Sequence, residues 1–214
     1  MGHAYMKGKR MKLFIALVLT LLLTACGAGT FTVSKVDKTF SQNKNQTYTS
    51  ENNRISTKSV AGGIHIDASG VFLNPFVVKD YAGKTDVVGF NIVNKTDFDS
   101  TYGGPNQLGY IQKVVFRFPS GELITVAIEN QENESADTIQ YNSVTRSASY
   151  RKYETGVAIL SLADFKRVAS AKVLSCKIEG SKHSVVYEEK DISAGFLTNI
   201  NHFYSQYILG SSSQ

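Results

Sequence analysis

The chain has 214 residues, 23 of them Lys or Arg and 18 Asp or Glu, giving a formal charge of +5. Two cysteines are too few for a disulfide-stapled scaffold. The longest apolar run, residues 13–23, is too short to span a bilayer, which takes about 20 residues. The basic excess points to nucleic acid only until its location is considered. Lys7, Lys9, Arg10 and Lys12 stand in residues 1–25 with no acid, so the remainder holds 19 basic against 18 acidic residues. A near-neutral remainder carries no electrostatic footprint for nucleic acid, and none is expected as a partner.

The N-terminal 26 residues have the three parts of a secretory signal: a cationic head, the apolar run LFIALVLTLLL, and small residues before a cut. They end on Leu23-Thr24-Ala25-Cys26, which resembles the lipobox of bacterial lipoproteins. The resemblance implies cleavage after Ala25, a thioether-linked diacylglycerol on Cys26, and an acyl chain on its amine. Two or more chains anchor stably where one holds only marginally. No other cofactor is expected. Gly27, in place of the Asp associated with inner-membrane retention, leans toward the outer membrane, facing the periplasm. Met1, Met6 and Met11 each begin a workable signal.

Residues 26–55 are rich in Gly, Ser, Thr, Asn, Gln and Lys and read as a lipidated N-terminus with a flexible tether. The faint alternation of Phe31, Val33, Val36 and Phe40 leaves an edge strand over 30–40 as the alternative. Residues 56–210 are long enough for a single domain with a real core, followed by a short tail at 211–214. Twelve Phe and eleven Tyr without Trp, together with abundant Val and Ile, favour a β-rich core.

Strand patterns run over 60–67, 70–80, 86–94, 110–118 and 122–129, the last two joined by Pro119-Ser120-Gly121 as a hairpin. Residues 130–138 read as a polar loop, and 139–160 as one long or two shorter strands with a break near 153–156. Ser161-Leu162-Ala163-Asp164 resembles a capping box ahead of an apolar helical face at Leu162, Phe165, Val168 and Ala169. Strands at 173–179 and 183–188 follow. Asp191 or Ser193 would cap a last helix with Phe196, Ile200, Phe203 and Tyr207 on one stripe. The sum is an α+β domain: a mostly antiparallel sheet with two C-terminal helices packed on one face. A β-barrel or a sandwich with a C-terminal helix is the alternative.

No motif for catalysis or metal binding emerges. His65, His183 and His202 fall outside any HExxH or Cys/His cluster. Cys176 alternates with Leu174 and Ile178, the pattern of a small buried residue on a strand. Residues 96–108 read as a long loop, an uneventful connection or, as the alternative, a surface loop in which Asp97, Asp99 and Tyr102 contact a partner. Arg151 and Lys152, interleaved with Tyr150 and Tyr153, read as a charged strand that blunts an edge or meets an anionic envelope polymer or lipid headgroups. The expected function is a non-enzymatic binding or scaffold domain, attached to the membrane by its lipid and contacting an envelope protein or polymer. A small-ligand or metal-binding periplasmic module is the first alternative, and an envelope hydrolase the second.

Overall fold

The computed structural model describes residues 29–36, 45–60, 69–99, 107–135, 140–144 and 146–210. Ten strands are described: β1 (Thr32–Val36), β2 (Gln46–Glu51), β3 (Gly70–Lys79), β4 (Thr85–Asp99), β5 (Ile111–Arg117), β6 (Leu123–Ser135), β7 (Gln140–Asn142), β8 (Ser147–Leu160), β9 (Ser175–Gly180) and β10 (Ser184–Tyr187). Two helices join them, α1 (Leu162–Ser170) and α2 (Ala194–Phe203), the latter running on into a π-helical turn at Tyr204–Ile208. The strands form one open antiparallel sheet in the order β1-β2-β3-β4-β8-β6-β5-β9-β10, with β7 beside β8. This is the expected α+β class, and the sheet does not close into a barrel.

The sheet is strongly curved. Leu123–Ala127 of β6 pair with β5, whereas Ile128–Ser135 pair with β8, so one strand serves two neighbours. A register shift between Glu129 and Glu132, with Asn130 at φ +48°, marks a bulge at this handover. In a flat sheet, Phe90 on β4 and Phe116 on β5 would lie about 14 Å apart, three strand spacings. Their ring centroids are 5.8 Å apart, so the two halves wrap the same core.

That core is built from in-phase stripes. Val88, Phe90 and Ile92 of β4, and Ala158 and Leu160 of β8, alternate onto the inner face. Phe165 of α1 stacks on Phe90 at 5.1 Å, and Phe196, Ile200 and Phe203 of α2 are fully buried in the same cluster. The helix starts follow the sequence signals. Ser161 Oγ accepts from the Asp164 amide at 3.0 Å, and Ser193 Oγ accepts from the Phe196 amide at 3.1 Å.

Several expectations are corrected. Strands β1 and β2 lie inside the stretch expected as a tether. β2 pairs with β3 and β1 with β2, so 32–36 and 46–51 extend the sheet, with the edge-strand alternative realised at Thr32–Val36. Their Thr, Val and Tyr residues are good strand formers that low hydrophobicity disguised. Beyond β2, Ile55 donates to Val71 O and Leu73 donates to Asn53 O, each at 3.0 Å, so residues 53–55 continue alongside β3. The expected loop at 130–138 is strand as far as Ser135, and β8 runs unbroken past 153–156. The strand pattern at 60–67 lies outside the described residues except for Val60.

At the far end of the inner face the stripes turn polar. Asn94 and Glu154 are register partners on β4 and β8, and both are fully buried. The Glu154 carboxylate accepts from Asn94 Nδ2 at 2.8 Å, from the Leu108 amide at 2.7 Å and from the Gly109 amide at 2.8 Å. Gly109 has φ +81°, and a Cβ there would collide with Ser181 Oγ in the β9–β10 turn. Leu108 O in turn accepts from the Lys182 amide at 2.9 Å. One buried carboxylate therefore ties β4, β8 and the lead-in to β5 together, and that lead-in is clasped to the β9–β10 turn. Glu154→Gln replaces one acceptor oxygen with a donor facing N–H groups. It should cost about 2–4 kcal/mol, read as a lower urea midpoint with an unchanged slope.

Candidate functional site

The outer face of the β6-β5-β9-β10 half carries a shallow groove. The register sets Val115 beside Lys177 and Lys177 beside Val186, with Leu123 opposite Arg117 and Arg117 opposite Ser175 in the neighbouring row. Because alternate residues leave opposite faces, Cys176 and Phe116 point inward while these point out. The result is a cavity of about 310 Å³ with an apolar floor of Val115, Leu123 and Val186. Leu123 is 56% exposed and Val186 38%, which is apolar area left to solvent.

The rim is charged and internally paired. Arg117 Nη2 donates to Glu188 Oε2 at 2.7 Å, and Ser175 Oγ donates to the same oxygen at 3.3 Å. Beyond Lys177, Glu179 bridges Lys113 and Lys177, each at 2.7 Å. Hydrogen bonds first from Lys113 and then from Lys177 hold its carboxyl below the ordinary range. An apolar floor between ion-paired walls suits an amphipathic segment of a partner.

Beside the groove, residues 56–58 guard the β10 edge. Lys58 Nζ donates to Val186 O at 2.7 Å and to Asp191 Oδ2 at 2.9 Å, while Ser56 Oγ donates to Asp191 O. A lysine laid across an edge strand blocks further pairing there.

The residues singled out in the sequence are dispersed. Asp97 and Asp99 lie on β4, opposite Arg151 and Ser149 of β8, so this part of the expected 96–108 loop is strand. Tyr102 lies outside the described residues, as do Ala25, Cys26 and His65. Arg151 and Lys152 are adjacent on a strand and so project to opposite faces, which separates them as a contact pair. Lys152 Nζ donates to Gln107 Oε1 at 3.2 Å. Arg151 shares the outer face with Lys95, whose ammonium lies 4.7 Å from the Phe72 ring centroid. Burial lowers the pKa of Lys95, with Glu51 opposing and Arg151 adding to the effect.

Cys176 is buried in the core cluster opposite Tyr187, and burial pushes its thiol pKa up, the reverse of what thiolate chemistry needs. His183 is exposed at the β9–β10 turn, and His202 is exposed on α2. No cluster of three metal-ligating side chains occurs among the described residues. Neither the groove nor Glu154 was singled out in the sequence. For Glu154 the signal was present: it falls in phase with Gly156, Ala158 and Leu160 on the inner face of β8. Comparison with known proteins returns no match, whether to a family model, a curated protein or a solved structure.

The Asp191 contacts make a pH prediction. The hydrogen bond from Lys58, followed by that from the Glu188 amide, holds the Asp191 pKa below its ordinary value. A depressed folded-state pKa adds stability that is complete above the unfolded value of about 3.9 and fades as pH falls through the folded one. Asp191→Asn should therefore lower stability at pH 7 by less than about 1 kcal/mol, the pair being solvent-screened. At pH 2 it should change stability little, as measured by thermal unfolding at both pH values.

Proposed function

We propose that this chain is a bacterial envelope lipoprotein, acylated at Cys26, whose sheet domain binds another envelope protein without catalysing a reaction. The observation that carries the reading is Leu23-Thr24-Ala25-Cys26, placed directly after a cationic head and an 11-residue apolar run. The signal is removed at Ala25, and the lipid on Cys26 holds the domain at the outer membrane, facing the periplasm. No helix among the described residues is long and apolar enough to cross a membrane. The attachment in this reading is covalent lipid.

The open groove of Val115, Leu123 and Val186 supports the binding half of the reading. Ion pairs to either side give register, and exposed apolar side chains give a desolvated centre, the two ingredients of a small protein interface.

Radiolabelled palmitate should enter the wild-type chain and not Cys26→Ala; equal labelling of both would contradict the anchor. In intact cells, a zero-length carboxyl–amine crosslinker should join the chain to a discrete partner. Val186→Asp should reduce that product at least tenfold while the membrane fraction keeps the folded protein. An unchanged product would remove the groove from the interface.

A further inference from the structure

We infer that the lipid anchor acts on a very short leash, seating the open β1 edge of the sheet on the lipid headgroups of the membrane that holds Cys26. This rests on the anchor reading above and goes beyond it by fixing which part of the domain meets the bilayer. A tether over 26–55 would allow an extended reach of about 100 Å, at 3.3–3.6 Å per residue. The structure shortens it. Thr30 O accepts from Asn52 Nδ2 at 3.3 Å, and Thr32 is the register partner of Glu51 at the start of β1. The span from Cys26 to Thr30 is four residues, at most about 14 Å when fully extended. Acyl chains buried in the hydrocarbon place Cys26 at the headgroup level, so the start of β1 cannot leave that neighbourhood.

The chemistry of the edge fits a polar lipid surface. β1 ends the sheet order, and among the described residues β2 is its one strand partner, so its other side is the edge of the described sheet. The opposite end of the order, β10, has Lys58 laid across it, so the two edges are treated differently. Thr32 and Ser34 are exposed on one face of β1, and Lys35 is exposed on the other, its ammonium 5.9 Å from the Tyr48 ring centroid. Headgroup phosphates and glycerol esters accept from such groups, and the interfacial layer is wet enough to complete the rest. A partner of the domain must then lie in, or close to, the same membrane.

The test uses the full chain, purified with its anchor and reconstituted into phosphatidylcholine vesicles containing nitroxide-headgroup lipid. A fluorophore is placed at Ser34→Cys, an exposed edge position. The buried Cys176 does not compete for label, and the acylated Cys26 cannot react. Quenching at Ser34 should be strong with the native spacing and fall at least threefold when 20 Gly/Ser residues are inserted after Gly27. Absence of quenching in protein whose Cys26 is acylated by mass would overturn the inference, and so would quenching that survives the insertion. Unmodified Cys26 would instead overturn the anchor reading and this inference with it. Circular dichroism of the labelled and inserted variants confirms that each remains folded.

Discussion

The buried carboxylate of Glu154 is the constraint around which this fold is arranged. A carboxylate withdrawn from water must find donors, and removing one partner of a buried charge is far more damaging than losing an exposed pair. Here three donors come from two places in the chain: Asn94 on β4 and the amides of Leu108 and Gly109 ahead of β5. None of these is adjacent to Glu154 in sequence, so meeting its need sets where the β4–β5 connection returns to the sheet. The returning segment is also bonded to the β9–β10 turn through Leu108 O and Tyr110 O. The side chain thus fixes the relation between the two halves of the curved sheet, and with it the outer groove on the second half.

The core and the two outer faces divide the remaining work. Phe90, in contact with both Phe116 and Phe165, joins the two halves of the sheet and α1 in one aromatic cluster. The segment at 53–58 joins β3 to the C-terminal elements. Asn53 is bonded to Asn74 and Leu73 of β3 and to Asn199 of α2, while Lys58 and Ser56 hold Asp191. These bonds draw what looked like linker into the body of the domain. Under the proposed acylation at Cys26, the same reassignment would leave only a few residues between the lipid and the start of β1.

Legibility in the sequence followed apolar phase. Stripes such as Val88-Phe90-Ile92 and Phe196-Ile200-Phe203 announced their strand and helix, and Ser161 and Ser193 announced the caps. What escaped were strands whose alternation is polar. β2 reads QTYTSE, and the second half of β6 reads ENQENES, which on composition alone is loop. Both are held by neighbours distant in sequence, β3 and β8, and pairing of that kind has no local signature. Arg151 and Lys152 show the reverse case: adjacent in sequence and alike in charge, they are parted by the two-residue period of a strand. Glu154 was missed because a charge on a core face reads as a surface residue unless its phase is followed. The groove depends on β5, β9 and β10 lying side by side, which is a property of topology.

The most direct measurement of the central claim is amide hydrogen exchange at Leu108 and Gly109. If the Glu154 carboxylate holds this segment to the sheet, both amides exchange only through opening as rare as that of the Phe90 and Ile92 amides of the core. Exchange at the rate of an unprotected loop, with the core amides still protected, would contradict the account.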